Sequence, residues 1–152
     1  MDGKMIEAGS RWAEVERTED GRVILRGDIV CCDVPNHNGR IYPRAVMEAA
    51  VVKAQESIQR GSFFAVIPDD RYGRVHLADV AGRVRALAVG ERVRGDVEML
   101  DTDRGKSIRV LMDAGKPVRL YLRGRGSLRE VDGVQVVQDD FVFDGVGITA
   151  EE

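Results

Sequence analysis

Residues 80–100 read Val80-Ala81-Gly82-Arg83-Val84-Arg85-Ala86-Leu87-Ala88-Val89-Gly90-Glu91-Arg92-Val93-Arg94-Gly95-Asp96-Val97-Glu98-Met99-Leu100. Apolar or small residues alternate at Val80, Gly82, Val84 and Ala86, and again at Val93, Gly95, Val97 and Met99. A period of two marks a strand. The spacing predicts two long strands, Val75 to Val89 and Arg92 to Leu100, joined at Gly90-Glu91. Just upstream, Phe63 to Ile67 reads as a short apolar strand ended by Pro68, followed by a polar loop from Asp69 to Gly73. Strands are also expected at Trp12–Glu16 and Arg22–Val30, around a Glu19-Asp20-Gly21 turn whose Asp-Gly pair is a hairpin signal. Cys31 to Arg40 is a loop dense in turn residues.

Two segments follow the helical period instead. Pro43 to Arg60 begins with proline, which suits a first turn, and repeats Ala45, Val46, Ala49, Ala50, Ala54 and Ile58 at steps of three and four. Gly61 is its expected C-terminal cap. Asp103 to Ala114 is the second helix, with Thr102 or Asp103 at its start and Gly115 at its end. Strands at Val118–Leu122, Ser127–Val131, Val134–Phe143 and Val146–Thr149 complete the chain, with a hairpin at Asp132-Gly133. The expected architecture is α+β: an antiparallel barrel of about seven strands flanked by two helices. Closure would remove exposed edges. No linker or repeat interrupts the chain, so residues 1–152 read as a single domain.

Composition narrows the chemistry. With 152 residues, 43% hydrophobic and 32% charged, the chain has the make-up of a globular domain rather than a disordered one. The net charge of −3, with both signs mixed, argues against a nucleic-acid partner. No run of 18 apolar residues exists, and Met1 to Met5 lacks the apolar core of a secretory leader, so no membrane partner is expected. Cys31 and Cys32 are adjacent and match no zinc spacing, so no metal or cofactor is expected. Two histidines, His37 and His76, limit any imidazole chemistry. Of the 23 basic residues, all but four are arginine. That bias is read either as coding bias or as a surface built for salt bridges to other proteins.

Several segments together resemble one family. Asn36-His37-Asn38-Gly39-Arg40-Ile41-Tyr42-Pro43-Arg44 is similar to the N-x-N-G-R-I-Y-P signature of tailed-phage prohead proteases, the capsid-maturation serine proteases with an assemblin-like fold. Leu77 to Val84 resembles the strand after the family's catalytic His. Leu100-Asp101-Thr102-Asp103-Arg104-Gly105-Lys106 resembles its L-D-T-x-x-G-K entry into the second helix. Ala114-Gly115 and Arg123-Gly124-Arg125-Gly126-Ser127 resemble the A-G and R-G-x-G-S around the nucleophile strand, and Asp140-Phe141 with Phe143-Asp144 resembles the closing motif. The resemblance spans residues 22–148. It marks Asn36, Asn38, Gly39, Arg40, Asp101, Thr102, Gly105 and Lys106 as structural motif positions.

The same resemblance implies that the chemistry has been lost. Where the family carries G-E-L-D-H-P, this chain has Phe63-Phe64-Ala65-Val66-Ile67-Pro68, so Ile67 stands in the histidine position. Where the family carries serine ahead of R-G, this chain has Tyr121-Leu122. A serine hydroxyl needs a neighbouring base, and isoleucine accepts no proton. No catalytic residue is therefore assigned. Ser127 with His76 is the fallback pair for a relocated active site. Arg123, Gly124 and Arg125 are the candidate residues for binding a peptide or partner, from a backbone that in the family would face an oxyanion. Outside any site, His37 is expected to brace its turn and His76 to sit on a strand.

The expected function is that of a catalytically inactive phage head component: a capsid-associated or decoration protein, resident in the virion and retained with both ends intact. It would bind the major capsid protein or scaffold, in multiple copies or as a homo-oligomer. The alternatives are an active maturation serine protease with relocated residues, and a regulator of such a protease absent from the particle.

Overall fold

The computed structural model describes residues 3–8 and 11–150. Met1 and Glu152, where retained ends were expected, lie outside the described residues. The long pair is the centre of the architecture: β6 (Val80–Val89) runs antiparallel to β7 (Arg92–Met99). With β1 (Gly3–Ala8), β2 (Glu14–Arg17), β3 (Val23–Cys31), β5 (Phe64–Val66), β8 (Val118–Gly126) and β11 (Val142–Ala150) they form one sheet in the order β1-β8-β11-β5-β6-β7-β3-β2. All its pairings are antiparallel except β5 with β11. A second sheet joins β4 (Arg40–Ile41), β10 (Val134–Val137) and β9 (Leu128–Val131). Register shifts at Asp28/Val30, Ala65/Val66, Val84/Ala86 and Phe143/Gly145 bend the large sheet, as bulges do. The curl is nearly closed. Ala13 N–H, just before β2, donates to Val118 O on β8 at 2.7 Å, and Gly27 leaves room for Ala13 to pack against β3.

The expected α+β, barrel-like architecture with two helices is what the chain adopts, with particular differences. The strand expected from Val75 starts at Val80, because residues 77–79 form a 3₁₀ turn in which Asp79 Oδ2 accepts His76 N–H at 2.7 Å. His76 is thus exposed ahead of a turn, not on a strand. Val134–Phe143 splits into β10 and the start of β11. The break lies at Asp139-Asp140, where Asp140 Oδ1 turns back to accept Ser127 N–H at 2.9 Å. β8 continues four residues beyond Leu122. β1 and β4 were not foreseen.

The helices are α1 (Arg44–Gln59) and α2 (Asp103–Asp113). The buried face of α1 is Met47, Ala50, Val51, Ala54 and Ile58, while Ala45 and Ala49 are exposed. Larger side chains two positions away, Met47 and Val51, bury more apolar area than alanine does, and they set the rotation of the helix. Asp33 Oδ1 accepts the Arg44 N–H at 2.9 Å and so caps the helix that Pro43 opens. Asp132-Gly133, both at positive φ, makes the expected tight turn. A file of edge-to-face rings, Tyr42, Phe141, Phe143 and Phe63, fills the core between β4, β11 and β5, with centroids 5.9, 5.2 and 6.5 Å apart.

Candidate functional site

Strand alternation decides what β8 offers. Leu120 and Leu122 point into the core and are fully buried, and Gly124 faces inward with them. A Cβ at Gly124 would lie 2.5 Å from the Phe141 ring, so glycine is needed there to seat that ring. Its backbone is paired on both edges, with Met5 of β1 and Phe143 of β11. The opposite face of β8 carries Tyr121, Arg123 and Arg125.

Tyr121 and Ile67 meet in one groove. Its volume is about 920 Å³, and its lining includes Trp12, Pro68, Arg71, Tyr72, Leu111 and Thr149. Ile67 is half-buried, and its N–H donates to Asp79 O at 2.8 Å. The ring of Tyr121 lies flat against Gly147, where an added Cβ would come within 1.9 Å of it. The Arg71 guanidinium sits 4.9 Å over the ring. Arg71 also donates to Thr149 Oγ1 at 3.2 Å, and Arg119 covers Trp12 at 4.1 Å. Among the described residues lining the groove there is no serine, cysteine or histidine. Of the two residues the sequence placed at the serine position, Tyr121 faces the groove and Leu122 does not.

Ser127 and His76 are placed apart from this groove. Ser127 lies between β8 and β9, its backbone N–H on Asp140. That bond, and after it one from the Ser127 side chain, holds the Asp140 carboxyl below its ordinary range. His76 lines a second cavity of about 490 Å³ with Lys4, Phe64, Val66, Arg74, Leu77, Arg123, Arg125 and Asp144, and Ser127 is not in that lining.

The motif residues each have a mechanical task. Asn36 Oδ1 accepts the N–H of Asn38 at 3.0 Å and of Arg40 at 3.1 Å, which shapes the turn in which Gly39 takes φ +74°. His37 is exposed, and the bracing expected of it is done by Asn36. Asn38 Nδ2, an Arg40 guanidinium N–H and the Tyr42 hydroxyl then donate to one carboxylate, Glu7, at 2.7, 2.7 and 2.9 Å. Glu7 is 1% exposed. Burial, followed by the Glu7 charge, drives the Tyr42 hydroxyl far above its usual pKa, so it stays a donor. The signature thus receives β1, a role that the sequence of β1 did not announce. In the second motif, Thr102 Oγ1 accepts Gly105 N–H at 3.0 Å and donates to Val80 O at 2.6 Å. A Cβ at Gly105 would lie 2.1 Å from Leu100 O and 2.7 Å from Ala81 O of β6, so only glycine lets α2 start so close to them. Asp101 pairs with Arg109, and the Lys106 N–H continues the helix to Thr102 O.

The arginine bias has a structural answer. Most arginines pair with an acid of the same chain. Arg71, Arg74, Arg123 and Arg129 form no ion pair among the described residues; Arg129 is exposed on β9, and the other three stand at the two cavities flanking β8. Cys32 is buried, which, with the charges of Asp33 and Cys31, pushes its thiol up to about 11. No group of three or more potential metal ligands occurs among the described residues, nor any helix long and apolar enough to cross a membrane.

The prohead core protein serine protease family matches residues 3–150. Among solved structures, the capsid assembly protease gp21 of bacteriophage T4 superposes with a TM-score of 0.80 at 23% identity, over 98% of this chain and 97% of that one. No curated protein sequence matches.

Proposed function

We propose that this chain, which belongs to the prohead core protein serine protease family, serves a phage head without proteolysis, as a capsid-associated component that binds the major capsid protein or scaffold. One observation carries the reading. The two positions at which the family resemblance expects histidine and serine, Ile67 and Tyr121, face the same groove. There the chemistry is replaced by an Arg71–Tyr121 stack. A serine protease needs a hydroxyl activated by a base. The groove's Thr149 hydroxyl instead accepts a bond from Arg71, a cation that takes no proton. Arg123 and Arg125 on the same face of β8 are the proposed contacts to the bound chain. Several copies on a shell, in the virion, fit such a role.

The test is incubation of the full-length chain with its cognate scaffold and major capsid protein, followed by sedimentation of the assembled shells. Both substrates are expected to stay intact, and the chain is expected to sediment with the shell at full length. Specific cleavage that Ser127→Ala abolishes would overturn the reading in favour of a relocated protease. Absence of the chain from mature particles would overturn it in favour of an assembly regulator.

A further inference from the structure

The second cavity shares no lining residue with the groove at Ile67 and Tyr121. Its cations are Lys4, Arg74, Arg123 and Arg125. Its one acid is Asp144, already engaged by Arg125 at 3.2 Å. Arg123 is 7% exposed, and its described bond goes to a carbonyl, Arg71 O, at 2.7 Å. Elsewhere among the described residues, deep charge is matched with opposite charge. Glu7, Asp28, Asp79 and Glu98, the buried acids, each have an arginine within 4.0 Å. A buried guanidinium facing a cavity whose one carboxylate is already paired elsewhere is costly unless something supplies another. Its planar fork fits a carboxylate in a bidentate pair.

The walls say what else the ligand carries. Phe64 and Val66 form an apolar floor, and Leu77 projects at the rim with 86% exposure. A bare phosphate chain has nothing to place on that floor, whereas a peptide with apolar side chains beside its acids does. Strand addition at β8 is excluded, because β1 and β11 occupy both of its edges. At β8 itself, recognition goes through side chains. Resting on the head-component reading above, and naming the segment that its Arg123 and Arg125 contacts would hold, we propose that this cavity, separate from the former catalytic groove, is the docking site for an acidic segment of a capsid or scaffold chain in which carboxylates alternate with apolar side chains.

The experiment is fluorescence anisotropy of the full chain with a labelled, capped hexapeptide of alternating glutamate and leucine. Its all-glutamine counterpart and inorganic phosphate serve as controls. Arg74 and Lys4 are exposed, so Arg74→Glu and Lys4→Glu leave the fold in place. Each is expected to weaken binding about tenfold or more, the scale of one charge-assisted contact. Arg129→Glu, on β9 away from the cavity, is expected to leave binding unchanged. Equal binding of the glutamine peptide, equal losses from Arg74→Glu and Arg129→Glu, or displacement of the peptide by phosphate at equal concentration would each overturn the site. Because anisotropy reads neither cleavage nor shell sedimentation, failure here stands apart from failure of the head-component reading.

Discussion

On the outer face of β3, β7 and β6, Glu98 receives Arg85 and Arg83, and Asp28 receives Arg94 at 3.1 Å with Arg11 and Arg92 just beyond. Beside β8, Arg123 is as deeply buried as Glu98, and among the described residues it pairs with no acid, only with Arg71 O. Both regions use the same residue type on strands of one sheet, so composition does not separate them. The first region closes its electrostatics within the chain and is built to hold shape. The second leaves them open and is built to be completed by a partner. Natural proteins commonly give up stability where function requires it. If that is the cause here, closed and open charges must respond to mutation with different magnitude and sign.

The largest response belongs to the closed network at Glu7. Three donors converge on a carboxylate that is almost wholly buried, and removing it strands the Arg40 charge and the Tyr42 hydroxyl together. Glu7→Ala is expected to cost about 3–5 kcal/mol in urea unfolding, the usual cost of breaking one side of a buried pair. Amide exchange should also speed up along β1, whose anchor it is. A loss under about 1 kcal/mol, on the scale of an exposed ion pair, would erase the distinction between the two regions.

How much of this was legible in the sequence follows from the same contrast. The β6–β7 pair, both helices and the Asp-Gly turns rest on local patterns, and the chain displays them. The signature from Asn36 to Tyr42 was visible as a motif, and Gly105 as part of another. Their purposes were not, because Glu7 and Leu100 lie outside the turn and the helix they serve. β1 went unforeseen because its inward residues include a charge, which breaks the apolar alternation that marks a strand. The site positions Ile67 and Tyr121 were named from resemblance. That they face one groove, and that Tyr121 rather than Leu122 does so, needed the pleat of β8. The open arginines could not be found from sequence at all, since an arginine's partner is a matter of three dimensions.

A smaller response is expected at Glu98. Burial pushes its carboxyl up, but hydrogen bonds from Arg85 and Arg83, with their charges, outweigh this and hold it below its ordinary value of 4.5. The folded state therefore binds its proton less readily than the unfolded state. Its stabilisation is complete above the ordinary carboxylate range and is lost as pH falls through the lowered folded value. With its arginines part-exposed, the term is about 1 kcal/mol. Urea midpoints measured from neutral pH down to acid should fall less steeply in Glu98→Gln than in the parent. Parallel curves would remove Glu98 from the closed set.

The smallest effect, and the one that decides the comparison, is at Arg123. Were it a structural cation like the Arg40 that pairs with buried Glu7, replacing it would cost about 3 kcal/mol or more. As an open one it already carries an uncompensated desolvation cost, and leucine keeps the apolar stem's packing while removing the charge. Arg123→Leu is expected to change unfolding free energy by less than about 1 kcal/mol, with gain the favoured sign, since buried charges replaced by apolar residues are often neutral or better. In the anisotropy experiment the same variant should lose peptide binding. Stability kept while binding goes is what an open charge predicts. A loss of about 3 kcal/mol or more would place Arg123 with Glu7 and make the bond to Arg71 O a structural strut.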